Sequence, residues 1–335
     1  MARYDFASDN VVGAMPEVMA ALADANAGAV TGYGGDPVTA RAADLVRQAL
    51  DADCEVRFTA SGTAANAFAL ATLAHPHEAV ICHEHSHIAT DEAGAPGFFS
   101  AGVGLIPLAG AAGRIDPRAL AAVLAQPDVS YRQAPAVLSL TNATEFGAVY
   151  TEAELASLAG PATAAGLGLH LDGARLSNAV AAGFPLAAVK RLGIDVAVLG
   201  GTKAGSTPSE AVAFFDKGLA RRLDARLKHA GQLVSKARFL AAPWIGMLET
   251  GAWTARAAHA NAMARRLAGL MPFPLAHPVE ANGVFVTMDD AALERLRVAG
   301  WFVYRFLDGS ARFMCSWATT AEQVDELGAA LKAIA

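Results

Sequence analysis

Short, continuous apolar runs alternate along the chain with alanine-rich stretches in which apolar residues recur every three or four positions. Five of these runs are typical of strands buried on both faces: AVICHE (79–84), VGLIPL (103–108), AVLSLT (136–141), LGLHLD (167–172) and DVAVLGG (195–201). The stretches between them, such as DPRALAAVLA and TEAELASLAGPATAAG, have the periodicity of helices with one buried face. This alternation predicts an α/β fold with a mainly parallel central sheet wrapped by helices.

Sheets of this kind bind ligands beyond the carboxyl ends of their strands, so functional residues should directly follow the apolar runs. A chain of 335 residues is long for one hydrophobic core. We expect an N-terminal arm over residues 1–45, with one helix near Pro16–Ala25, and a large domain over residues 46–245. Residues 246–335 should form a smaller α+β domain that opens with one long helix from about Met247 to Leu270.

Charge and composition exclude several classes of partner. The formal net charge of -6, without a basic stripe, argues against nucleic acid. No apolar run approaches the roughly 20 residues that span a bilayer, and the N-terminus lacks the apolar segment of a signal peptide. We therefore expect a cytoplasmic protein with no membrane partner. Because 54% of the residues are hydrophobic and only 17% are charged, the surplus apolar surface favours a large oligomer interface.

A lone lysine, Lys203, stands between two apolar runs in the stretch LGGTKAGSTPSE. One interpretation is an exposed turn lysine between the strands of a hairpin. The other is an amine at the edge of the core, where desolvation lowers its pKa and frees it to form a Schiff base. The second interpretation requires an anion site, a carboxylate for a protonated ring nitrogen, and a clamp for a substrate carboxylate.

Two segments could meet these requirements. Ser61, Gly62 and Thr63 follow an apolar run and open an alanine-rich helix, which suits either a phosphate site or a simple N-cap. Asp172 ends another apolar run and is followed by Arg175. Because an unpaired buried carboxylate is costly, Asp172 should form an ion pair with Arg175, cap a helix, or bind a protonated ring nitrogen.

Three alternating histidines, His83, His85 and His87, would share one face of an extended chain, as in a metal site. The strand is expected to end near Cys82, so the alternation need not continue. We favour one histidine stacked flat on an aromatic cofactor, the others in solvated loops, and no metal.

Seven motifs occur in a fixed order: FASDNVVGAMPEVMAAL, GYGGDPVTARAADLV, SGTAAN, HIATDEAG, LSLTNATEFG, HLDGARLSNAV and GGTKAG. Together they resemble the low-specificity L-threonine aldolases, which belong to the pyridoxal-phosphate-dependent aspartate aminotransferase superfamily. The resemblance covers nearly the whole chain. It implies fold type I, with pyridoxal 5'-phosphate bound as a Schiff base to Lys203.

The resemblance also implies roles for other residues. Ser61, Gly62 and Thr63 would bind the phosphate, Asp172 would contact the pyridine nitrogen, and His87 would stack on the ring. The catalytic residues would then be Lys203, His87 and Asp172.

Further implied residues would contact the substrate. Ser8, Arg175 and Arg312 would hold its carboxylate, with Arg175 also counted among the cofactor-binding residues. Tyr33 would reach the site near the interface of a homodimer or homotetramer.

The chain departs from the family pattern at two places. Tyr131 stands where many members carry a second active-site histidine, so we include it among the substrate-contacting residues. The usual arginine near HAGQLVSKARF is absent, and Lys228 or Lys236 would replace its charge.

The implied reaction is the cleavage of L-threonine, L-allo-threonine and related β-hydroxy-α-amino acids to glycine and an aldehyde, a step of amino acid metabolism. One alternative is a β-eliminating lyase or an aminotransferase on the same scaffold. Another is a catalytically inactive binding protein with this fold.

Overall fold

The computed structural model describes residues 3–221 and 223–335, and this part of the chain contains two β-sheets. The larger sheet has seven strands, in the spatial order β1-β7-β6-β5-β4-β2-β3. Their bounds are β1 (Glu55–Thr59), β2 (Glu78–His83), β3 (Gly104–Leu108), β4 (Ala134–Thr141), β5 (Gly168–Gly173), β6 (Val196–Gly200) and β7 (Glu210–Phe214). Strands β2 to β6 are the five apolar runs, so that prediction is confirmed.

Six strands of this sheet run parallel to one another, and only β7 is antiparallel to its neighbours β1 and β6. Glu210, the first residue of β7, lies opposite Thr59 at the end of β1 and opposite Gly200 at the end of β6. Strand β7 therefore begins at the edge where the parallel strands end, which adds its first residues to the expected ligand edge.

Helices cover both faces of this sheet, and further helices lie in the C-terminal part of the chain. Those before β7 are α1 (Pro16–Ala25), α2 (Pro37–Leu50), α3 (Gly62–Leu73), α4 (His87–Thr90), α5 (Ala95–Phe99), α6 (Pro117–Leu124), α7 (Glu152–Ala164), α8 (Leu176–Ala181) and α9 (Ala188–Arg191). Those after it are α10 (Lys217–Ala220), α11 (Leu223–His229), α12 (Arg238–Glu249), α13 (Ala252–Leu270), α14 (Asp290–Val298) and α15 (Ala321–Ile334). No helix among the described residues combines the length and the apolar character needed to cross a membrane.

Helix α1 has the predicted bounds, but two other helical predictions need correction. The N-terminal arm carries a second helix, α2, which begins after Asp36, whose side chain accepts a hydrogen bond from the Thr39 N–H at 2.8 Å. The long helix predicted from Met247 is wrong, because α12 and α13 are separate. Gly251 lies between them with φ of 71°, a left-handed conformation that ends a helix and favours glycine.

The C-terminal part has its own antiparallel sheet of three strands, β8 (Gly283–Val286), β10 (Ala311–Met314) and β9 (Tyr304–Arg305), with β10 in the centre. Helices α13, α14 and α15 pack beside this sheet around a separate cluster of buried apolar side chains. The domain boundaries at residues 45 and 245 stay a prediction, and α12 extends across the second of them.

Candidate active site

A cavity of about 320 Å³ lies at the carboxyl edge of the large sheet. It brings together segments that are far apart in sequence, because the parallel strands end there. Its lining residues are Asn10, Ala60, Ser61, Gly62, Thr63, Asn66, His87, Asp172, Ala174, Thr202, Lys203, Pro208 and Glu210. Six of the predicted site residues are therefore neighbours in the fold.

The N-terminus of α3 forms one wall of the cavity. Ser61 caps this helix, since its Oγ accepts a hydrogen bond from the Ala64 N–H at 3.2 Å. The N–H groups of Gly62 and Thr63 have no hydrogen-bond partner among the described residues. A Cβ atom added to Gly62 would meet no atom within 4 Å, so the space beside these donors is open. The N-cap is therefore present, and it leaves two backbone donors available for an anion.

Lys203 lies in the connection between β6 and β7, where the hairpin interpretation put it, but it is half-buried. No hydrogen bond or ion pair engages its Nζ atom within residues 3–221 and 223–335. Glu210 holds the start of this connection, because its Oε2 accepts a hydrogen bond from the Gly201 N–H at 2.8 Å. Burial raises the pKa of Glu210 to about 7, although hydrogen bonds from Thr202 and Gly201 oppose the shift.

Asp172 is only 2% exposed and is held in place by two donors. Its Oδ1 accepts a hydrogen bond from the Ala174 N–H at 2.9 Å, and its Oδ2 accepts one from Asn66 Nδ2 at 3.0 Å. No cationic side chain of the described residues forms an ion pair with it, so the alternative of an ion pair with Arg175 is wrong. A buried carboxylate without such a partner suits a cationic ligand group.

Arg175 pairs instead with Asp9 of the N-terminal arm. Its Nε and Nη2 donate to the Asp9 carboxylate at 2.7 and 3.0 Å, and both side chains are buried. Burial opposes the ionisation of Asp9, but the Arg175 charge outweighs it and holds the pKa of Asp9 well below its usual range. Glu145 lies 3.8 Å from Arg175 Nη1. Arg175 does not pair with Asp172 because the N-terminal arm brings the Asp9 carboxylate to the Arg175 guanidinium. The sequence alone does not predict this contact.

His87 begins α4 and lines the cavity. Its Nδ1 is 2.9 Å from Glu92 Oε1, and Glu92 also accepts a hydrogen bond from Asn66 Nδ2 at 2.9 Å. The hydrogen bond to Glu92 raises the pKa of His87, against the effect of burial. Burial raises the pKa of Glu92. His87 is thus connected to Asp172 through Glu92 and Asn66.

Of the other two histidines, both expected in solvated loops, His83 ends β2 and is buried, whereas His85 lies in the turn that follows and is half-buried. His83 is buried, with its Nε2 3.1 Å from the Gly110 carbonyl and its Nδ1 accepting the His85 N–H at 3.0 Å. His83, Glu84 and His85 have ligand atoms within 4.8 Å of one another. Both ring nitrogens of His83 are already engaged, which leaves it no lone pair for a metal in this arrangement.

Arg312 lies on β10 and has no hydrogen bond or ion pair among the described residues. Its guanidinium carbon is 4.8 Å from the centre of the Phe306 ring. Burial, followed by the nearby charge of Arg175, lowers the pKa of Arg312. Ser8 is half-buried and accepts a hydrogen bond from the Asn10 N–H at 3.2 Å, beside the pair formed by Asp9 and Arg175. The guanidinium of Arg312, which has no partner among the described residues, is therefore available near the pair formed by Asp9 and Arg175.

Tyr131 does not reach the cavity of its own chain. It precedes β4 by three residues and is 84% exposed. The cavity lies at the other end of β4, which spans eight residues, or roughly 26 Å. The prediction that Tyr131 contacts the substrate is therefore wrong for a site formed within one chain.

Tyr33 is 54% exposed and lies outside the cavity lining. The Nζ atom of Lys228 is 4.9 Å from the centre of its ring, and the Tyr33 N–H donates to the Ser235 carbonyl at 3.0 Å. Lys236 is exposed in the same connection. These residues form a surface of the chain rather than a wall of its cavity.

Several polar residues of the site were not predicted from the sequence, and four of them make the hydrogen bonds described above: Asp9, Asn66, Glu92 and Glu210. Three of them lie inside the seven family motifs, and Glu210 ends the stretch that contains Lys203. One signal was available, since Asn66 lies one helical turn after Gly62 and must share its face of the helix.

The fold matches that of a known class of enzymes. A serine palmitoyltransferase of S. paucimobilis, solved with a pyridoxal phosphate–myriocin aldimine, superposes with a TM-score of 0.72 at 18% identity. The match covers 100% of this chain and 86% of that one. The fold is therefore fold type I of the pyridoxal-phosphate-dependent enzymes, as predicted.

Nearer relatives define the family. A threonine aldolase of Leishmania major matches with a TM-score of 0.93 at 28% identity, over 99% of this chain and 100% of that one. A low-specificity L-threonine aldolase of a Pseudomonas species is 47% identical over 98% of this chain and 97% of its own length. The sequence model of the family described as beta-eliminating lyase matches residues 5–291. The chain belongs to this family, and family and fold together imply pyridoxal phosphate as the cofactor.

Proposed function

We propose that the chain cleaves L-threonine, L-allo-threonine and related β-hydroxy-α-amino acids to glycine and an aldehyde, as a carbon–carbon lyase dependent on pyridoxal phosphate. The observation that carries the proposal is that Lys203, Asp172 and His87 line one cavity beside the open N-terminus of α3. The Pseudomonas relative is named a low-specificity L-threonine aldolase, which supports this cleavage over elimination and transamination.

The donor set of the cavity fits pyridoxal phosphate. The unpartnered N–H groups of Gly62 and Thr63, with Ser61 beside them, suit its phosphate. The buried carboxylate of Asp172 suits its protonated ring nitrogen, and Lys203 Nζ is free to attach it as a Schiff base. When bound, the cofactor supplies an electron sink for the bond broken at the substrate α-carbon.

Arg312 would hold the substrate carboxylate. Its guanidinium is unpartnered, whereas Arg175 already donates two hydrogen bonds to Asp9. A free fork binds a carboxylate through two parallel N–H groups, which fixes the orientation of the α-carbon. Ser8 and Arg175 would support this contact from the N-terminal arm.

His87 would accept the proton of the β-hydroxyl group. Its Nδ1 is engaged by Glu92, and its Nε2 has no hydrogen-bond partner among the described residues. Proton transfer to Nε2 would produce an imidazolium whose positive charge lies beside the Glu92 carboxylate, a pairing that strengthens His87 as a base.

The reaction can be tested with purified protein, L-threonine and added pyridoxal phosphate. We expect equimolar glycine and acetaldehyde, the latter measured with alcohol dehydrogenase. Formation of 2-oxobutanoate and ammonia would instead indicate elimination, and transfer of the amino group to a 2-oxo acid would indicate an aminotransferase. A protein that acquires no visible cofactor absorbance would be the inactive binding protein.

The chain should act as a homodimer or homotetramer with its sites near the subunit interface. Large apolar side chains remain exposed on the single chain, among them Tyr33, Phe98 and Val298. Of the two candidate lysines, Lys228 is the better replacement for the family arginine, because it contacts Tyr33. Analytical ultracentrifugation would give the oligomeric state. A cytoplasmic location stays a prediction.

A further inference from the structure

The imidazole of His87 is held at one nitrogen only. Its Nδ1 lies 2.9 Å from Glu92 Oε1, while its Nε2 has no partner among residues 3–221 and 223–335. A carboxylate can only accept hydrogen bonds, and a neutral imidazole carries a single N–H. This contact therefore selects the tautomer with the proton on Nδ1 and leaves the Nε2 lone pair free.

Glu92 is not among the residues that line the cavity, but its side chain is held in place by hydrogen bonds. Its side chain has no solvent exposure, and its Oε1 also accepts a hydrogen bond from Asn66 Nδ2 at 2.9 Å. The same Asn66 nitrogen donates to Asp172 Oδ2 at 3.0 Å. An amide nitrogen carries two protons, so each of the two carboxylates receives one of them.

We propose that Glu92 is a positioning residue for the retro-aldol reaction, acting through His87 by keeping its proton on Nδ1 and its Nε2 open to the substrate. Asn66 ties this pair to Asp172, so that the base and the carboxylate that would contact the cofactor keep one relative orientation. The inference deepens the proposed function and rests on it, since it assigns the base a support.

The hydrogen bond distinguishes Glu92 from the other charged groups around His87. Besides Glu92, the groups whose charges act on His87 are Glu145, Lys203 and Asp172. Of these four groups, only Glu92 forms a hydrogen bond with the imidazole. Without that acceptor the proton could move to Nε2, which would then donate to the substrate hydroxyl and could no longer accept its proton.

Histidine nitrogen NMR on cofactor-free protein tests the tautomer without any turnover. Protein labelled with ¹⁵N-histidine is titrated with pH, and the His87→Asn variant assigns the His87 signals. We expect the pattern of an Nδ1–H tautomer in the natural sequence. In Glu92→Gln the pKa of His87 should fall by about one pH unit, because a charge-assisted hydrogen bond is lost.

Two variants serve as controls. Glu145→Gln removes a nearby charge but no hydrogen bond to His87, so the Nδ1–H pattern should persist. Glu92→Asp keeps the carboxylate and should recover part of the lost pKa. An Nε2–H tautomer in the natural sequence, or an equal fall in the His87 pKa in Glu92→Gln and Glu145→Gln, would overturn the proposal.

Activity then separates this inference from the proposed function. In Glu92→Gln, kcat/KM for threonine should fall by roughly 10²-fold, and the acid limb of its pH profile should move to lower pH. A fall without movement of the limb means a merely structural role and refutes the inference. An Nδ1–H tautomer in a protein that does not cleave threonine would refute the proposed function while leaving the geometry of His87 intact.

Discussion

The guanidinium of Arg175 and the carboxylate of Asp9 form a two-bonded ion pair across 166 residues of sequence, with Nε–Oδ2 and Nη2–Oδ1 distances of 2.7 and 3.0 Å. Both groups are buried, and Asn282 Nδ2 adds a third donor to Asp9 at 3.1 Å. The pair attaches the N-terminal arm to the turn that follows Asp172. It also occupies two of the Arg175 donors, which supports the proposal that Arg312 is the main contact of the substrate carboxylate.

Asp9→Ala should strongly destabilise the protein, because it leaves the Arg175 charge buried without its partner. The expected loss is about 3–5 kcal/mol in the free energy of unfolding. Urea unfolding of the cofactor-free protein at fixed concentration measures it. Asp5→Ala on the same arm is the control, since Asp5 and its partner Arg3 are both partly exposed and the loss should stay within about 1 kcal/mol. Equal losses in the two variants would show that the pair of Asp9 and Arg175 stabilises the fold no more than the pair of Asp5 and Arg3 does.

Lys203→Ala should abolish the visible absorbance of the bound cofactor and lower turnover by several orders of magnitude, because covalent attachment is lost. Borohydride reduction of the natural sequence followed by peptide mapping should place the label on Lys203. Lys190→Ala, at an exposed position of α9, should retain the absorbance. A label found on Lys190, Lys217, Lys228 or Lys236 would contradict the assignment.

Arg312→Lys should lower kcat/KM for threonine by about 10²-fold or more, which corresponds to about 3 kcal/mol of transition-state binding. A lysine has no planar fork, so it cannot fix the carboxylate through two parallel bonds. Exchange of the α-proton with solvent should rise relative to cleavage, because the scissile bond is less well oriented. Arg305→Lys on the neighbouring strand β9 is the matched control. Near-normal cleavage by Arg312→Lys would exclude it as the clamp.

The sequence was sufficient for the parts of the fold that depend on local pattern. Strands buried on both faces are continuously apolar, and parallel strands end at one edge, so the proximity of Lys203 and Asp172 could be predicted. The partners of these residues could not. Asp9 with Arg175 and Glu92 with Asn66 pair across 166 and 26 residues, and neither pairing leaves a periodic trace in the sequence.

The errors have similar causes. The role of Tyr131 rests on the resemblance alone, which does not say at which edge of the sheet the residue lies in this chain. The single helix from Met247 to Leu270 rests on an alanine- and arginine-containing stretch, and this composition does not show that Gly251 takes a left-handed conformation and separates two helices.

Glu210 offers a test of the charge balance around Lys203. Its carboxylate accepts the Gly201 N–H and is buried at the cavity, where burial raises its pKa from 4.5 to about 7. The folded protein therefore binds the Glu210 proton more tightly than the unfolded chain does. The resulting stability is fully present below pH 4.5 and is lost as the pH rises through about 7.

Glu210→Gln should remove this pH dependence, because the amide oxygen can still accept the Gly201 N–H but carries no charge. Urea unfolding of the two cofactor-free proteins at pH 5 and pH 8 provides the comparison. Near pH 5 their stabilities should be similar. By pH 8 the variant should be the more stable by up to about 3 kcal/mol, since a tenfold difference in proton affinity between the folded and unfolded states corresponds to roughly 1.4 kcal/mol. A stability difference that is the same at both pH values would mean that Glu210 is not neutral in the fold at low pH, and that Lys203 and the Gly201 and Thr202 donors already hold it ionised.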